Sequence, residues 1–261
     1  MLKLKMKPLK YYFDRAVETY EKAGKIQKKV AEEVLKKIEK KHYSTIIEIG
    51  SGRGFLTIPL SETLSFEKFI HVDISFEFLK RLKTNSINKH FFINACAEAM
   101  PIKDSLADLL ISSSTLHWIK NPEKNFLKLF DVLKKNGKFH FSIFTSGTLK
   151  ELKEVSEITR FGSVYPLKEA DFYLKIIQKT GFHFDYKIKT YREVYDSPTD
   201  LLLTHKLTGT NYTKNSKFSG KNSFKNFCDT YKRLFGNHEG IYATYEVLFI
   251  EGQKLSLFPQ G

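Results

Sequence analysis

Short apolar runs alternate with amphipathic segments along residues 45–144, the rhythm of a fold in which strands and helices alternate. Five runs predict strands: Thr45–Ile49, Phe69–Ile74, Phe91–Asn94, Ala107–Ser112 and Lys138–Phe144. Strands separated by helices need crossover connections, which are right-handed and produce a parallel sheet. We therefore expect an α/β fold with a mostly parallel sheet and helices on both faces.

The stretch before the first run has a helical pattern. Apolar residues recur at four-residue spacing on one face, with lysines on the other: Ile26, Val30, Val34 and Ile38. This pattern predicts helix over residues 11–41, and Gly24 is expected to divide it into two helices. Between the first two strands, Phe55–Leu64 is predicted to form another helix.

Turn-forming residues predict the limits of a helix before the fifth strand. Asn121 and Pro122 are typical of an N-cap and a first helical residue. The helix is expected to end near Lys135, with Asn136-Gly137 as its stop.

Two later runs, His183–Tyr191 and Tyr242–Glu251, alternate in the strand pattern and are predicted to close one edge of the sheet. Residues 196–240 lie between them. A connection of this length is uncommon unless it forms a lid or a binding element. We expect a helical insert before the last strand.

Composition is that of an ordinary soluble protein, with 41% apolar and 28% charged residues among 261. No apolar run reaches about 18 residues, so no membrane-spanning helix is predicted. The N-terminal residues lack the apolar region of a signal peptide, so no signal peptide is predicted either. The two cysteines, Cys96 and Cys228, have neither a disulfide framework nor metal-ligand spacing, so no metal site is predicted. We expect a protein of the reducing cytoplasm.

The formal net charge of +14 is unevenly distributed. Residues 1–41 contain thirteen Lys or Arg against six Asp or Glu, and residues 205–233 contain seven against one. Such fields attract polyanions, which include nucleic acid, an anionic membrane surface and an acidic protein. A lysine-rich genome is the alternative explanation.

A glycine-rich segment, Glu48-Ile-Gly50-Ser-Gly52-Arg-Gly54, follows the first predicted strand. Glycines at such a turn let the backbone approach a bound small molecule. A dinucleotide fingerprint, Gly-x-Gly-x-x-Gly, needs its third glycine one residue later, where Phe55 stands. The segment instead resembles motif I of the class I S-adenosylmethionine-dependent methyltransferases. A glycine turn without a ligand is the alternative.

That resemblance implies a Rossmann-like fold of seven strands, with S-adenosylmethionine as cofactor and S-adenosylhomocysteine as its product. Asp73 ends the second strand, where it would accept from the ribose hydroxyls; capping the next helix is its alternative role. Glu48 would receive the ammonium of the methionine moiety. The full set of predicted cofactor-binding residues is Glu48, Gly50, Ser51, Gly52, Gly54, Asp73, Ile74, Cys96, Ala97, Glu98 and Ser113.

Cys96 departs from the class I pattern, which often has an Asp here to accept from the adenine amino group. A thiol is a weak acceptor, and losing one charge-assisted hydrogen bond amounts to about 1.5–3 kcal/mol. Adenine recognition is expected to shift to backbone groups or to Glu98. A nucleophilic role for Cys96 is disfavoured because no base or cation lies beside it in the sequence.

Segments outside the glycine motif resemble the malonyl-[acyl-carrier protein] O-methyltransferase family of biotin synthesis. They are Phe13–Gln27, Leu116–Trp118, Phe144–Leu152, Lys206–Asn211 and Gly240–Phe249, of which the last two are the most specific. The resemblance implies one methyltransferase domain over residues 1–261. Its predicted parts are N-terminal helices in 1–42, a cofactor-binding half in 45–145 and a substrate half in 146–261 that carries the insert at 196–240.

The implied reaction is methyl transfer to the free carboxylate of malonyl-acyl carrier protein or malonyl-CoA, giving a methyl ester that enters fatty acid synthesis toward pimeloyl and biotin. A carboxylate with a pKa of about 3–4 is already ionised at pH 7, so no general base is required. Lys206, Tyr20 and His117 are the candidates for holding this substrate. Their alternative roles are a solvated lysine, a core aromatic residue and a structural histidine.

The resemblance also implies a partner for the basic charge, because acyl carrier proteins are small and acidic. The competing hypotheses are methylation of another small acid, methylation of RNA, and a binding module without catalysis. Ser112-Ser113-Ser114-Thr115 stands where a base-stacking tetrapeptide would follow the fourth strand, and no RNA-binding module is appended. We therefore predict neither a nucleic acid nor a membrane partner, and the oligomeric state is left open.

Overall fold

The computed structural model describes residues 7–84, 88–212 and 221–255. Within them it has ten α-helices: α1 Lys7–Ala16, α2 Tyr20–Ala23, α3 Lys25–Leu35, α4 Thr57–Thr63, α5 Phe76–Lys83, α6 Pro122–Asp131, α7 Lys150–Thr159, α8 Ala170–Gln178, α9 Pro198–Leu207 and α10 Lys221–Phe235. Short 3-10 turns span Ala97–Ala99 and Leu116–Trp118. None of the helices in these ranges is long and apolar enough to cross a bilayer.

Eight strands form one sheet: β1 His42–Ile49, β2 Ser65–Asp73, β3 His90–Asn94, β4 Ala107–Ser113, β5 Leu133–Phe144, β6 His183–Tyr195, β7 Gly236–Asn237 and β8 Gly240–Gln253. The order is β3-β2-β1-β4-β5-β8-β6, and β7 is a two-residue strand that pairs antiparallel with β8. Strands β1 to β5 pair in parallel. The predicted α/β class and seven-stranded path are confirmed.

The chain divides into two compact units, each considered over its described residues. The sheet unit comprises Lys25–Ile143, Ala170–Ile188 and Leu248–Gly261. The helical unit comprises Met1–Gly24, Phe144–Glu169 and Lys189–Val247. The expected single domain with halves at 45–145 and 146–261 stays a prediction.

The sheet unit has an apolar core on each face of the sheet, because strand side chains alternate between faces. Ile47 and Ile49 lie in a cluster with residues of α6 and α8, among them Phe126 and Tyr173. Ile46, one residue away from Ile47, lies in a second cluster with residues of α3 and α4. The glycine segment therefore begins at the end of a strand that is covered on both sides.

The helical unit contains the predicted insert before the last strand, as helices α9 and α10. Its core is aromatic: the rings of Phe161, Phe227 and Tyr231 follow one another at centroid distances of 5.2 and 5.9 Å. Helix α10 packs on α7, and α9 contacts α1, α2 and α10. The part of the insert at residues 213–220, like the basic residues at 1–6, lies outside the described residues.

The predicted N-terminal helical stretch contains three helices rather than two. Gly24 separates α2 from α3 as predicted, and α3 buries Ile26, Val30 and Val34. A second break lies at residues 17–19. The hydroxyl of Thr19 donates to the carbonyl of Ala16 and to that of Leu207 at 2.6 Å, which ends α1 one turn early. Side-chain bonds of this kind compete with helix continuation.

The predicted stop of α6 was wrong, because this helix ends at Asp131 and Asn136-Gly137 lies inside β5. The register between β4 and β5 shifts at this point, since Ala107 faces Leu133 while Leu109 faces Lys138. The turn signal thus marks an irregularity in the strand. Asn121 has the predicted position before Pro122, but its side chain makes no capping hydrogen bond and its φ is +50°.

Candidate active site

The glycine segment forms a tight turn between β1 and α4 in the sheet unit. Gly50 has φ +73°, and its N–H donates to the carbonyl of Val72 at 2.7 Å. A Cβ at Gly50 would lie 2.1 Å from Oγ1 of Thr115, so only glycine fits there. Gly52 has φ +48° and faces open space, with no atom within 4 Å of the position that a Cβ would take. The turn is therefore closely packed on one side and open on the other.

Asp73, at the end of β2, is tied to this turn. One carboxylate oxygen accepts the N–H of Gly52 at 2.8 Å, and the other accepts the N–H of Ser75 at 2.8 Å. A carboxylate only accepts hydrogen bonds, and each of its oxygens can accept more than one. The alternative role as the cap of α5 is wrong, because the N-cap is Ser75, whose hydroxyl accepts from Phe78. Ile74, between them, is half-buried.

Glu48 is 2% exposed near the end of β1. Its Oε2 accepts from the Thr57 hydroxyl at 2.5 Å and lies 3.3 Å from Nδ1 of His71. Within the described part of the chain, both hydrogen bonds to this carboxylate reach Oε2. Its other oxygen, Oε1, therefore keeps its lone pairs for a ligand.

The segment after β3 carries the predicted adenine-binding residues. Cys96 and Ala97 are half-buried at the start of the first 3-10 turn. The carboxylate of Glu98 accepts the backbone N–H of Lys120, which ties this turn to the segment that follows β4. One oxygen of Glu98 is thereby used inside the protein, and the other can accept from a ligand.

The end of β4 completes the polar edge of the sheet unit. Ser113 accepts from the Ser142 hydroxyl at 3.0 Å, and Ser112 donates to the carbonyl of Ile49 at 2.8 Å. The buried hydroxyls of Ser51 and Ser114 have no hydrogen-bond partner among the described residues. Buried hydroxyls normally have a partner, so each of the two can still bond a water molecule or a ligand.

These observations fit a nucleoside cofactor of the kind that the sequence predicts. The open glycine, the carboxylates of Asp73 and Glu48, and the two unsatisfied serine hydroxyls belong to the segments at the carboxyl ends of β1, β2 and β4. Ligands of open α/β sheets bind beyond this edge, where the strand order reverses. The order here reverses between β1 and β4. The arrangement can therefore hold polar groups of an adenosyl ligand.

His117, predicted as a substrate-positioning residue, lies in the 3-10 turn after β4 and is 8% exposed. Burial lowers its pKa to about 3, so the ring is neutral at pH 7. A neutral imidazole donates from one nitrogen and accepts at the other. His117 can therefore donate one hydrogen bond to an anion but supplies no positive charge.

Tyr20 and Lys206 both lie in the helical unit. Tyr20 is half-buried at the start of α2, and Lys206 is exposed in the last turn of α9. The bond from Thr19 to the carbonyl of Leu207 joins the residues next to them in sequence. The structure thus brings these two helix ends together, with the lysine ammonium toward solvent.

A buried polar network beside Lys206 was missed from the sequence. Nε2 of His205 lies 3.1 Å from the hydroxyl of Tyr245, which lies 2.7 Å from that of Tyr195. Nδ1 of His205 lies 2.8 Å from the Thr210 hydroxyl. Burial lowers the pKa of His205 to about 4 and raises that of Tyr245 well above its ordinary value. The network is neutral at pH 7 and holds the α9 end against β8.

Two carboxylates, the buried Glu151 and the half-buried Glu246, join the family-like segments of the helical unit. Glu151 accepts from the N–H and the hydroxyl of Thr244. Glu246 accepts from the Thr145 hydroxyl and from the N–H of Gly147 at 3.2 Å. Only their occurrence in the quoted motifs signalled these residues, because their partners lie about a hundred positions away in the sequence.

Known proteins match this chain over both units. A family model described as a methyltransferase domain matches residues 47–141. The malonyl-[acyl-carrier protein] O-methyltransferase of Calditerrivibrio nitroreducens is 30% identical over 249 residues, covering 91% of this chain and 92% of that protein. The enzyme of the same name from Geobacter sulfurreducens is 26% identical, covering 93% and 96%.

Solved structures agree on the fold. The YcgJ protein of Bacillus subtilis has a TM-score of 0.63 at 15% identity and covers 87% of this chain and 99% of its own. Phosphoethanolamine N-methyltransferase 2 of Haemonchus contortus, solved with S-adenosylhomocysteine, has a TM-score of 0.58 at 19% identity and covers 93% and 58%. At these identities the likeness concerns the fold alone.

Proposed function

The chain belongs to the malonyl-[acyl-carrier protein] O-methyltransferase family, and from that premise we propose that it methylates the free carboxylate of a malonyl group on an acyl carrier protein. The observation that carries this proposal is the 30% identity that extends over about nine-tenths of both chains. That span is too long to be confined to the sheet unit and includes segments of the helical unit. The product is a malonyl methyl ester, the starter for synthesis toward pimeloyl and biotin.

The proposed methyl donor is S-adenosylmethionine, which supplies an electrophilic methyl group on a sulfonium. Asp73 would accept from the ribose hydroxyls through its carboxylate. Glu48 would receive the methionine ammonium at Oε1. Ser51, beside Gly50 and Gly52, would bond the ligand through its hydroxyl. The remaining predicted contacts are Gly54, Ile74, Cys96, Ala97, Glu98 and Ser113.

The acceptor needs orientation rather than deprotonation. A malonyl carboxylate is ionised at pH 7, so no general base is required. In our proposal Lys206 attracts this carboxylate by charge, and Tyr20 and the neutral His117 donate hydrogen bonds that orient it. Well-aligned reactants can gain about 7–11 kcal/mol from positioning alone.

An acidic carrier protein fits the charge of this chain. The net charge of +14 would speed encounter with such a partner through long-range attraction. We expect the KM for the malonyl carrier to rise with ionic strength, because salt screens this attraction. The same kcat at saturating carrier would show that the effect acts on encounter.

The experiment that tests the function supplies purified protein with methyl-labelled S-adenosylmethionine and three acceptors in separate reactions. They are malonyl-carrier protein, acetyl-carrier protein and total RNA. We expect label only on the malonyl carrier, because the acetyl group has no free carboxylate. Label on RNA, or an unlabelled malonyl carrier, would overturn the proposal. Malonyl-CoA in a fourth reaction measures how much the carrier itself contributes.

A further inference from the structure

A buried chain of side chains runs from the glycine segment across the sheet unit. Nδ1 of His71 lies 3.3 Å from Oε2 of Glu48, and Nε2 of His71 lies 2.8 Å from Nδ1 of His90. His71 is 0% exposed and Glu48 is 2% exposed. The chain thus joins a predicted cofactor-binding carboxylate to the strand at the edge of the sheet.

The sheet register fixes this arrangement. Glu48 and His71 are paired across β1 and β2, so their side chains lie on the same face. The imidazole planes of His71 and His90 are within 8° of parallel, and the ring of Phe92 stacks on His71 at 5.1 Å. Phe69 covers the His71 ring at 4.3 Å. Aromatic packing therefore leaves His71 little freedom to rotate.

Donor and acceptor roles follow from the chemistry of the groups. An ionised carboxylate only accepts, so Nδ1 of His71 must carry the proton that it shares with Glu48. Burial and the neighbouring His71 lower the pKa of His90 to about 4, so His90 is neutral at pH 7 and bonds Nε2 of His71 in either direction. His71 is thereby held by hydrogen bonds at both nitrogens.

We propose that His71 and His90 are positioning residues, which fix the orientation of the Glu48 carboxylate and direct its Oε1 toward the ammonium of the cofactor. This inference rests on the proposed function only for the cofactor, not for the acceptor. A buried carboxylate needs hydrogen-bond donors, because burying a charge without partners is unfavourable. The Thr57 hydroxyl supplies one donor and His71 supplies the second.

If His90 had only a structural role, an apolar ring could replace it, because the side chains around it are already aromatic. Phe66 and Phe69 pack against His90 at 5.4 and 5.5 Å. His90→Phe therefore keeps the stack and removes only the hydrogen bond to His71. His71→Leu removes the donor to Glu48, whereas His71→Asn places an amide N–H near the position of Nδ1.

His140 offers a matched control. It is 8% exposed, and its Nδ1 lies 3.3 Å from Oε2 of Glu251, the same distance as in the His71 pair. It lies on β5 of the same unit, and β4 separates that strand from β1, which carries Glu48. His140→Phe should therefore change stability to a similar degree without changing cofactor affinity.

The measurement is the Kd of S-adenosylmethionine by calorimetry, with the folded fraction of each variant taken from circular dichroism. We expect a Kd about tenfold or more higher in His71→Leu, about threefold higher in His90→Phe, and within about twofold of wild type in His71→Asn and His140→Phe. Equal Kd values in His71→Leu and His71→Asn would overturn the inference. If His71→Leu does not fold, His90→Phe against His140→Phe decides in the same way.

A spectroscopic measurement tests the donor assignment independently of affinity. Nitrogen-15 NMR of the wild-type protein should show His71 protonated at Nδ1, and an unprotonated Nδ1 would overturn the inference. Wild-type protein that fails to bind S-adenosylmethionine would overturn both this inference and the proposed function. Cofactor binding without methylation of the malonyl carrier would overturn only the proposed function.

Discussion

Two regions use buried polar groups in opposite ways. At the glycine turn of the sheet unit, the hydroxyls of Ser51 and Ser114 lack partners among the described residues, and Glu48 bonds through one oxygen. In the helical unit, Glu151 and Glu246 each accept at least two hydrogen bonds from within the unit. The glycine turn keeps hydrogen-bonding capacity for a ligand, whereas Glu151 and Glu246 use theirs within the helical unit.

This contrast suggests that the glycine turn serves ligand binding, whereas the carboxylates of the helical unit serve folding. Unsatisfied buried groups destabilise a protein by about 1–3 kcal/mol each, so they persist where a ligand satisfies them. Satisfied carboxylates hold distant segments together. Substitutions in the glycine turn should therefore change cofactor affinity, and substitutions at the two carboxylates of the helical unit should change stability.

Gly50→Ala should have the largest effect. The left-handed backbone is strained by about 1–2 kcal/mol with a Cβ, and the new atom would lie 2.1 Å from Thr115. We expect S-adenosylmethionine to bind about 100-fold more weakly, measured by calorimetry. Gly181→Ala is the control, since its φ is +69° but no atom lies within 4 Å. Equal affinity losses in both variants would show that close approach at Gly50 is unimportant.

Glu151→Gln should weaken the link between α7 and β8 without affecting the cofactor. The two oxygens of Glu151 accept from the N–H and the hydroxyl of Thr244, and Gln keeps only one acceptor oxygen, which destabilises the protein by about 2–3 kcal/mol. Denaturant unfolding measures the loss, and the Kd of S-adenosylmethionine should stay within about threefold. Glu157→Gln, an exposed position on the same helix, should change stability by less than about 0.5 kcal/mol. A large loss of cofactor affinity in Glu151→Gln would break the proposed contrast.

Lys206→Ala tests whether the helical unit also contributes to binding of the methyl acceptor. Loss of the ammonium should raise the KM for the malonyl carrier about tenfold, with cofactor affinity near wild type. Lys225→Ala, exposed on α10, should leave this KM within about twofold. The role assigned to Lys206 is wrong if cofactor binding weakens while the KM stays the same.

The His205 network predicts a modest acid sensitivity of the helical unit. The folded pKa of about 4 lies below the unfolded value of about 6.5, so the unfolded chain binds the additional proton between these values. The stabilising contribution of neutral His205 to the free energy of unfolding is full above pH 6.5. It is lost as the pH falls toward 4, by at most about 1.4 kcal/mol per pH unit. His205→Gln should flatten unfolding free energy against pH in this window, whereas His42→Gln, at an exposed position, should not.

The sequence predicted those features whose signal is local. The glycine turn and the two late strands follow from spacing and periodicity within short windows. Asn136-Gly137 misled the prediction because a bulge and a helix stop use the same turn residues. The distinction depends on the neighbouring strand β4, which no local pattern contains.

The hydrogen bonds between residues far apart in the sequence could not be predicted. His71 and His90 acquire a role only because β1, β2 and β3 are adjacent, and the sequence alone offered no reason to connect them with Glu48. The hydrogen bonds between Glu151 and Thr244 join residues 93 positions apart. Family resemblance located both segments, whereas their mutual bonds required the structure.

The most direct test of the proposed methyl transfer is the intact mass of malonyl-carrier protein after incubation with this protein and S-adenosylmethionine. We predict the gain of one methyl group, located on the malonyl carboxylate by fragmentation and removed by mild base as expected for an ester. A carrier of unchanged mass, or a methyl group on the carrier polypeptide itself, would contradict the assignment.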